Sequence, residues 1–250
     1  MLDDLNRQTL RPREIEIVRG VAPNGRARNV GIERTSCEFL VFLDDDVRLG
    51  SNDVIEKLVA ALETPGVGLS GTAQQLPPDS TKFQCLCANQ IPRSRSDIVH
   101  SLTDSDMVTT QCCATRRDIL SKLGNFHPKI LRGVDPELRA RYREAGLRIV
   151  IAPDAWHYHP MPASIKLLCK MAYRNGYSSA YAQKHFPETI LYNPEGHVDQ
   201  FEARRSLATR VVGRARDFCL ALLRGQWLRL TYDLAYATGY LRFRMSQRTI

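Results

Sequence analysis

The most distinctive feature in the chain's pattern of apolar and polar positions is an unbroken apolar run, Phe39 to Leu43. It ends in three consecutive carboxylates, Asp44, Asp45 and Asp46. Five apolar residues suit a central strand covered on both faces and are too few for a membrane span. Around this run the pattern alternates between helix and strand. Leu2, Leu5 and Leu10, spaced by polar residues, predict a short helix, and Glu14–Val18 alternates as a strand of period two. Pro23, Asn24 and Gly25 mark a loop. A helix follows over Ala27–Arg34, and the strand carrying the apolar run spans Cys37–Asp46. Ser51 or Asn52 stands where a cap is needed for a helix whose apolar face is Val54, Ile55, Leu58, Val59 and Leu62; Pro65 and Gly66 end it.

Val67–Ala73 reads as the next strand, and 74–106, broken by Pro77 and Pro78, as an irregular excursion with one edge strand. Asp118–Leu123 is a short helix closed by Gly124, and Asp135 opens another with Pro136 in its first turn. Ile149–Pro160 is an apolar strand followed by a turn and two histidines. Helices are expected over Ile165–Ala182 and Val211–Arg244, with Gly213, Gly225 and Gly239 as breaks. Alternation of this kind implies an α/β fold, with a mostly parallel central sheet flanked by helices and a C-terminal helical appendage. The division falls at 1–160 and 161–250. In such sheets ligands sit beyond the carboxyl ends of strands, where the aspartates are.

The length of 250 residues and a 43% hydrophobic content describe a globular chain able to bury a sizeable core. Seven cysteines, odd in number and without a CxxC pair, indicate neither a disulfide framework nor a zinc site, so a reducing, cytoplasmic compartment is expected. The start, Met1 to Asn6, is acidic and polar and does not read as a secretory signal. The net charge of +8 changes meaning once it is located: residues 201–250 hold ten Arg, no Lys and three acids, Glu202, Asp217 and Asp233, which accounts for nearly all of it. No basic groove lines the rest of the chain, so nucleic acid is not expected as a partner. The basic tail, rich in Leu, Tyr and Trp, suits an anionic membrane surface on the inner face of the membrane. The alternative is that these helices pack on the main domain or on another copy.

Three adjacent carboxylates at a strand end repel one another and call for a cation or donors, although a solvated acidic turn is the plainer alternative. Side chains alternate along a strand, so Asp44 and Asp46 are expected on one side and Asp45 on the other. Asp135 reads equally as a helix cap or as a base, and Glu137 adds first-turn negative charge. His157 and His159 follow the last apolar strand, and either is structural unless the carboxylates need a metal partner. Cys112 and Cys113 read as small packing residues entering a helix rather than as nucleophiles.

Four segments, GRARNVGIERTSCEFLVFLDDD (25–46), ATRRDILSKLGNF (114–126), RGVDPELRARYREAG (132–146) and APDAWHYH (152–159), occur in the order and at the separations of a known family. On these the chain resembles a family 2 glycosyltransferase of the GT-A fold over about residues 1–160. The resemblance implies a nucleotide-diphosphate sugar as donor, a polysaccharide or lipid-linked acceptor, and Mg²⁺ or Mn²⁺. It makes Asp44 and Asp46 the Asp-x-Asp pair, with Asp46 the direct metal ligand, Asp44 and Asp45 on the donor side, and His159 the histidine that reaches metal or diphosphate. Asp135 falls on the catalytic base, which implies inversion at the anomeric carbon. Arg28 and Asn29 match the family's Arg-Asn, the Arg approaching the donor and the Asn bracing the loop. Acceptor selection falls to the loop around Gln111–Ala114 and to Pro128–Arg132.

The sequence departs from that family pattern at three places. Val134 stands where Glu is common, Cys112 and Cys113 where Gly or Asn is often seen, and Arg19-Gly20 replace an Asp at the end of the second strand. Family members open with an apolar strand ending in a Pro-Thr-x-Asn-like turn, which is not seen here, so residues upstream of Met1 are expected to supply one wall of the nucleotide pocket. The competing reading is a non-catalytic module that binds membrane or protein partners.

Overall fold

The computed structural model describes residues 1–187 and 207–246. Helix α1 (Leu2–Asn6) and helix α2 (Asn24–Glu33) precede strand β1 (Phe39–Leu43) and the short β2 (Arg48–Leu49). Then come α3 (Val54–Glu63), β3 (Val67–Gln75), α4 (Lys82–Gln90), β4 (Thr103–Asp104), β5 (Cys112–Arg116), α5 (Arg117–Lys122), α6 (Val134–Glu144) and β6 (Arg148–Tyr158). Helices α7 (Ile165–His185), α8 (Leu207–Leu223) and α9 (Trp227–Ser246) follow.

The sheet order is β1-β5-β3-β6-β2, with β4 also on β6. Among the described residues only β3 and β6 run parallel; β1–β5, β5–β3, β6–β2 and β6–β4 are antiparallel, so the sheet is mixed where a mostly parallel one was expected. The error is physical. Pairing direction is a non-local property that apolar runs do not encode, and β5 enters between β1 and β3 from the opposite end.

Period-two alternation within β5 sorts the two layers of core. Cys112 and Ala114 face α3, joining Val54, Ile55, Leu58, Ala61 and Leu62, while Cys113 faces α5 and α6 with Leu120, Leu138 and Tyr142. Helices thus cover both faces, as the alternation implies. Each fully buried aliphatic of α3 stabilises the fold by about 1.5–3 kcal/mol, which is why its apolar stripe decides the helix's orientation.

Several local expectations are revised. The apolar run of β1 lies at the end of the sheet rather than at its centre, and only Leu40 is buried. Glu14–Val18 is not a strand: no strand among the described residues pairs with it, and Ile15 and Ile17 stay exposed. The segment is instead tied to the end of α2 by polar groups, Glu14 accepting from Ser36 and Glu16 from Arg34. Neither Ser51 nor Asn52 caps α3; Asp53 is its N-cap residue, and the Ser51 hydroxyl bonds the Asp53 carboxylate instead. The stretch 74–106 contains α4 as well as the edge strand, opened by a capping box in which Thr81 and Gln84 satisfy each other's backbone N–H groups. Cys112–Ala114 is a buried strand, not a loop.

Helix α7 packs against α9 through two glycines. A Cβ on Gly176 would lie 1.9 Å from the Tyr236 carbonyl oxygen, and one on Gly239 2.0 Å from that of Tyr173. Gly239 therefore marks a close crossing and not a break, and Gly213 lies inside α8; the break falls at Gly225. Leu228 of α9 joins Cys87, Ala88 and Ile91 of the α4 region and Leu168 of α7 in a third cluster, so α7 and α9 are part of the packed body. Arg204, Arg205 and Arg248 of the basic tail lie outside the described residues.

Candidate active site

The end of β1 and the start of β5 lie side by side because the pair is antiparallel, Leu43 opposite Cys112. The pairing continues one step further: the Asp44 N–H donates to the Gln111 carbonyl at 3.0 Å. The chain then turns, the Val47 N–H donating to the Asp44 carbonyl at 3.3 Å, so the three carboxylates occupy a tight turn rather than an extended strand end. Asp44 turns inward, and Asp45 and Asp46 remain exposed.

Arg28 of α2 donates to the Asp44 carboxylate at 2.8 Å and to the Thr110 carbonyl at 3.2 Å, with its guanidinium over the Phe126 ring. Its second terminal nitrogen, Nη1, is buried without a hydrogen-bond partner among the described residues. Burial pushes the Asp44 carboxyl above its ordinary range; Arg28 opposes that, and Asp135 and Asp46 add to it. Asn29, the next residue on α2, donates to the Phe126 carbonyl at 2.8 Å and accepts from the Phe126 N–H at 3.0 Å. Both functions of its amide are spent on that loop, so Asn29 braces it.

Asp135 is the second residue of α6, not its cap; Gly133, at φ 90°, holds that position. The Asp135 carboxylate accepts from the Thr110 N–H at 3.2 Å and from the Thr110 hydroxyl at 2.5 Å. Glu137 is committed elsewhere, to a two-pronged pair with Arg141 one turn on. The loop before α6 brings Arg132 toward the same region. Burial, then the like charge of Arg174 on α7, lowers its pKa, with Tyr232, Asp135 and Asp44 acting the other way.

The two histidines separate because the strand ends between them; within a strand, residues two apart would share a face. Strand β6 runs on through Tyr158 instead of turning before them. His157 is buried, its Nδ1 2.7 Å from the Thr72 hydroxyl and its Nε2 without a partner; burial and then His159 push its pKa down to about 3. It is a structural, neutral imidazole. His159 lies outside the strand, with Nε2 3.5 Å from Asp46 and 3.4 Å from the Gln111 amide, and with Nδ1 buried and unpartnered among the described residues. A cleft of about 250 Å³ lined by Asp46, Arg48, Asp79, Ser80, Gln84 and Pro160 opens beside it. A larger hollow lies at the other end of β1, around Glu38, Arg116 and Asp118, away from these groups. Cys112 and Cys113 are fully buried; desolvation raises the Cys112 thiol to about 12 and Cys113 well above its usual value, so neither acts as a nucleophile.

Sequence reasoning missed Thr110. Its carbonyl holds Arg28 and its N–H and hydroxyl hold Asp135, while its neighbour Gln111 holds the Asp44 backbone and reaches His159. The only available signal was position: a hydroxyl and an amide immediately before a buried strand.

A family model described as glycosyltransferase like family 2 matches residues 7–178, more than half of the chain. The chain belongs to that family. It is 30% identical over 163 residues to the succinoglycan biosynthesis protein ExoM of Rhizobium meliloti (strain 1021), an alignment covering 60% of this chain and 50% of that one. The chain thus spans about half the length of this relative. Among solved structures it is similar to the mannosyltransferase PcManGT from Pyrobaculum calidifontis in complex with GDP-Man and Mn²⁺, with a TM-score of 0.51 and 17% identity over 88% of this chain and 66% of that one. The fold is accordingly of the GT-A type, with a mixed sheet between helices.

Proposed function

We propose that this protein transfers a sugar, with inversion, from a nucleotide-diphosphate donor to a hydroxyl of a polysaccharide or lipid-linked acceptor, assisted by Mg²⁺ or Mn²⁺. The observation that carries the reading is the single Thr110-Gln111 step, which gathers Asp44, Arg28, Asp135 and His159 around the end of β1. The relative of similar fold was solved with GDP-Man and Mn²⁺, and ExoM is named for succinoglycan biosynthesis; both favour this donor and acceptor chemistry.

The residues fit a divalent cation of the hard kind. Among the described residues no three His, Cys, Asp or Glu side chains form a complete cage. Asp46 and His159 form an open pair, and Asp44 lies close enough for both to act on its titration. Mg²⁺ and chemically similar ions use one or two carboxylates together with substrate phosphates, so an incomplete protein cage is the arrangement they need. When bound, such an ion would neutralise charge on the departing diphosphate. Asp46 and His159 are the groups to hold it. Arg28, with an unpaired buried donor beside Asp44, is available to a diphosphate oxygen.

Asp135 is the base in this reading. Thr110 fixes one of its oxygens, leaving the other to take the acceptor hydroxyl's proton as attack proceeds. A single displacement requires no enzyme nucleophile, and the buried, protonated Cys112 and Cys113 supply none. The first test is calorimetric titration of GDP and UDP with and without Mn²⁺, on the protein and on Asp46→Ala. Mn²⁺-dependent binding of one of them, lost in the variant, is expected, and equal affinity in both proteins would remove the metal role. The absence of any nucleotide binding would favour a non-catalytic module.

A further inference from the structure

Helix α8 is amphipathic, and its apolar side faces outward. Val212, Ala215, Phe218, Cys219, Leu222 and Leu223 fall on one arc of the helix at spacings of three, four and seven, and all are exposed, Val212 by 68%, Leu222 by 61% and Leu223 by 82%. Its contact with the body uses a different side. Ala221, 1% exposed, and Arg214, 3.7 Å from Asp233 of α9 and over the Tyr236 ring, hold it there. A surface helix normally does the reverse and buries its apolar arc.

Helix α9 repeats the pattern. Leu228, Gly239 and Phe243 are buried on the side that packs against α7, and Trp227, Leu234, Leu241 and Met245 form a second stripe, at intervals of seven, seven and four, that is 47–63% exposed along its length. Exposed apolar stripes on two adjoining helices exceed the scattered single residues usual on a soluble monomer. The charge around them has one sign. Arg216, Arg224, Arg242 and Arg244 are exposed, whereas the two acids of these helices are already paired, Asp217 with Arg216 and Asp233 with Arg229 and Arg214. Among the described residues no helix is long and apolar enough to cross a membrane.

We propose that α8 and α9 dock the protein on an anionic lipid bilayer, lying in the interface with Phe218, Leu222, Leu223 and Trp227 in the acyl boundary and the arginines among the headgroups. Charge complementarity and outward-facing apolar arcs select this occupant over a second copy, whose own surface there is equally cationic. The reading does not depend on transfer chemistry, because binding is measured without a sugar donor.

The test is flotation of the full chain with phosphatidylglycerol vesicles and with neutral phosphatidylcholine vesicles, at low and high salt. Preferential, salt-sensitive binding to phosphatidylglycerol is expected. The triple variant Phe218→Ser, Leu222→Ser, Leu223→Ser changes only exposed positions and should bind at least tenfold more weakly; removing Arg216 and Arg224 together should weaken binding by about fivefold per arginine at low salt. Quenching of the unmodified protein's Trp227 fluorescence by brominated lipid, lost in Trp227→Phe, gives a second measure that needs no change in α8. Failure of the protein to float with phosphatidylglycerol overturns the proposal, as does unchanged flotation of the triple variant. Concentration-dependent dimerisation in the absence of lipid, abolished by the triple variant, would assign the face to a second copy and would also overturn it.

Discussion

Replacing Asp135 by Asn separates the two roles that its position permits. In the structure one carboxylate oxygen accepts from the Thr110 N–H and hydroxyl, and an Asn side-chain carbonyl offers the same acceptor at the same place. What disappears is one negative charge in the first turn of α6, near Arg139 one turn further along. A charge at a helix N-terminus contributes about 0.3–1 kcal/mol. For a chain of this size that corresponds to a loss of roughly 1–4 °C in Tm. A general base contributes about 10²- to 10⁴-fold in rate, or roughly 2.7–5.4 kcal/mol of barrier. The functional loss should therefore exceed the loss of stability several-fold.

Asp135→Ala provides the contrast, because it also leaves the Thr110 N–H without its partner, at a further cost of about 1–3 kcal/mol. The assay is single-turnover release of nucleoside diphosphate at saturating Mn²⁺, with the donor chosen from a panel of GDP- and UDP-sugars, alongside thermal melts of all three proteins. An Asn variant that turns over within threefold of the parent refutes the base. An Asn variant as unstable as the Ala variant would mean that the carboxylate serves as a brace between α6 and the 106–111 loop.

Two further outcomes follow from buried ionisable groups. His157 is neutral in the fold, with a pKa pushed down to about 3 against an ordinary value of 6.5, so the unfolded chain takes up a proton that the folded chain does not. Its contribution is fully present above pH 6.5 and is lost at about 1.4 kcal/mol per pH unit as pH falls toward 3; urea midpoints of the parent and of His157→Asn, compared at pH 7 and pH 5, should show a shallower acid slope in the variant, and equal slopes would refute the assignment. Asp44 has the opposite sign for a carboxylate: its folded pKa is raised, so the folded chain holds the proton more tightly, stability falls as pH rises from the ordinary 3.8 through the raised value, and the penalty persists above it. Asp44→Asn should consequently raise Tm at pH 7 while weakening GDP or UDP binding, and a lowered Tm would show that the Arg28 pair outweighs the burial of its charge.

Much of this was legible locally. The apolar run into Asp44–Asp46, the stripe of α3 and the close of α5 at Gly124 all follow from period and spacing, and the structure bears them out. Information that was not local stayed hidden. The position of β1 at the sheet's end depends on which strands pair, and α4 lacks an apolar stripe to signal it even though its Thr81–Gln84 capping box is present in the sequence. Helix α9 showed no clean stripe because it has two, one against α7 and one facing out. Thr110 was invisible because nothing in a lone threonine distinguishes a bridge between two carboxylate-bearing elements from a solvated hydroxyl.

The misread sheet direction is also what builds the site. Were β5 parallel to β1, its C-terminal end would lie beside Asp44, and its N-terminal approach would lie at the far side of the sheet, by Glu38 and Phe39. Because the pair is antiparallel, the last step before β5, Thr110-Gln111, arrives where β1 ends, with its peptide groups beyond the ladder and free to bond elsewhere. The parallel pairing of β3 with β6 then carries His157 and His159 to the same end, opposite Gln74 and beyond Gln75. One antiparallel insertion and one parallel pair thus bring a strand start and three strand ends to a common edge. The strand ends supply side chains aimed outward, and the strand start supplies the backbone and hydroxyl groups that hold Arg28 and Asp135 in place. A uniformly parallel sheet would have assembled the carboxylates and the histidine but would have left the α6 carboxylate without an anchor.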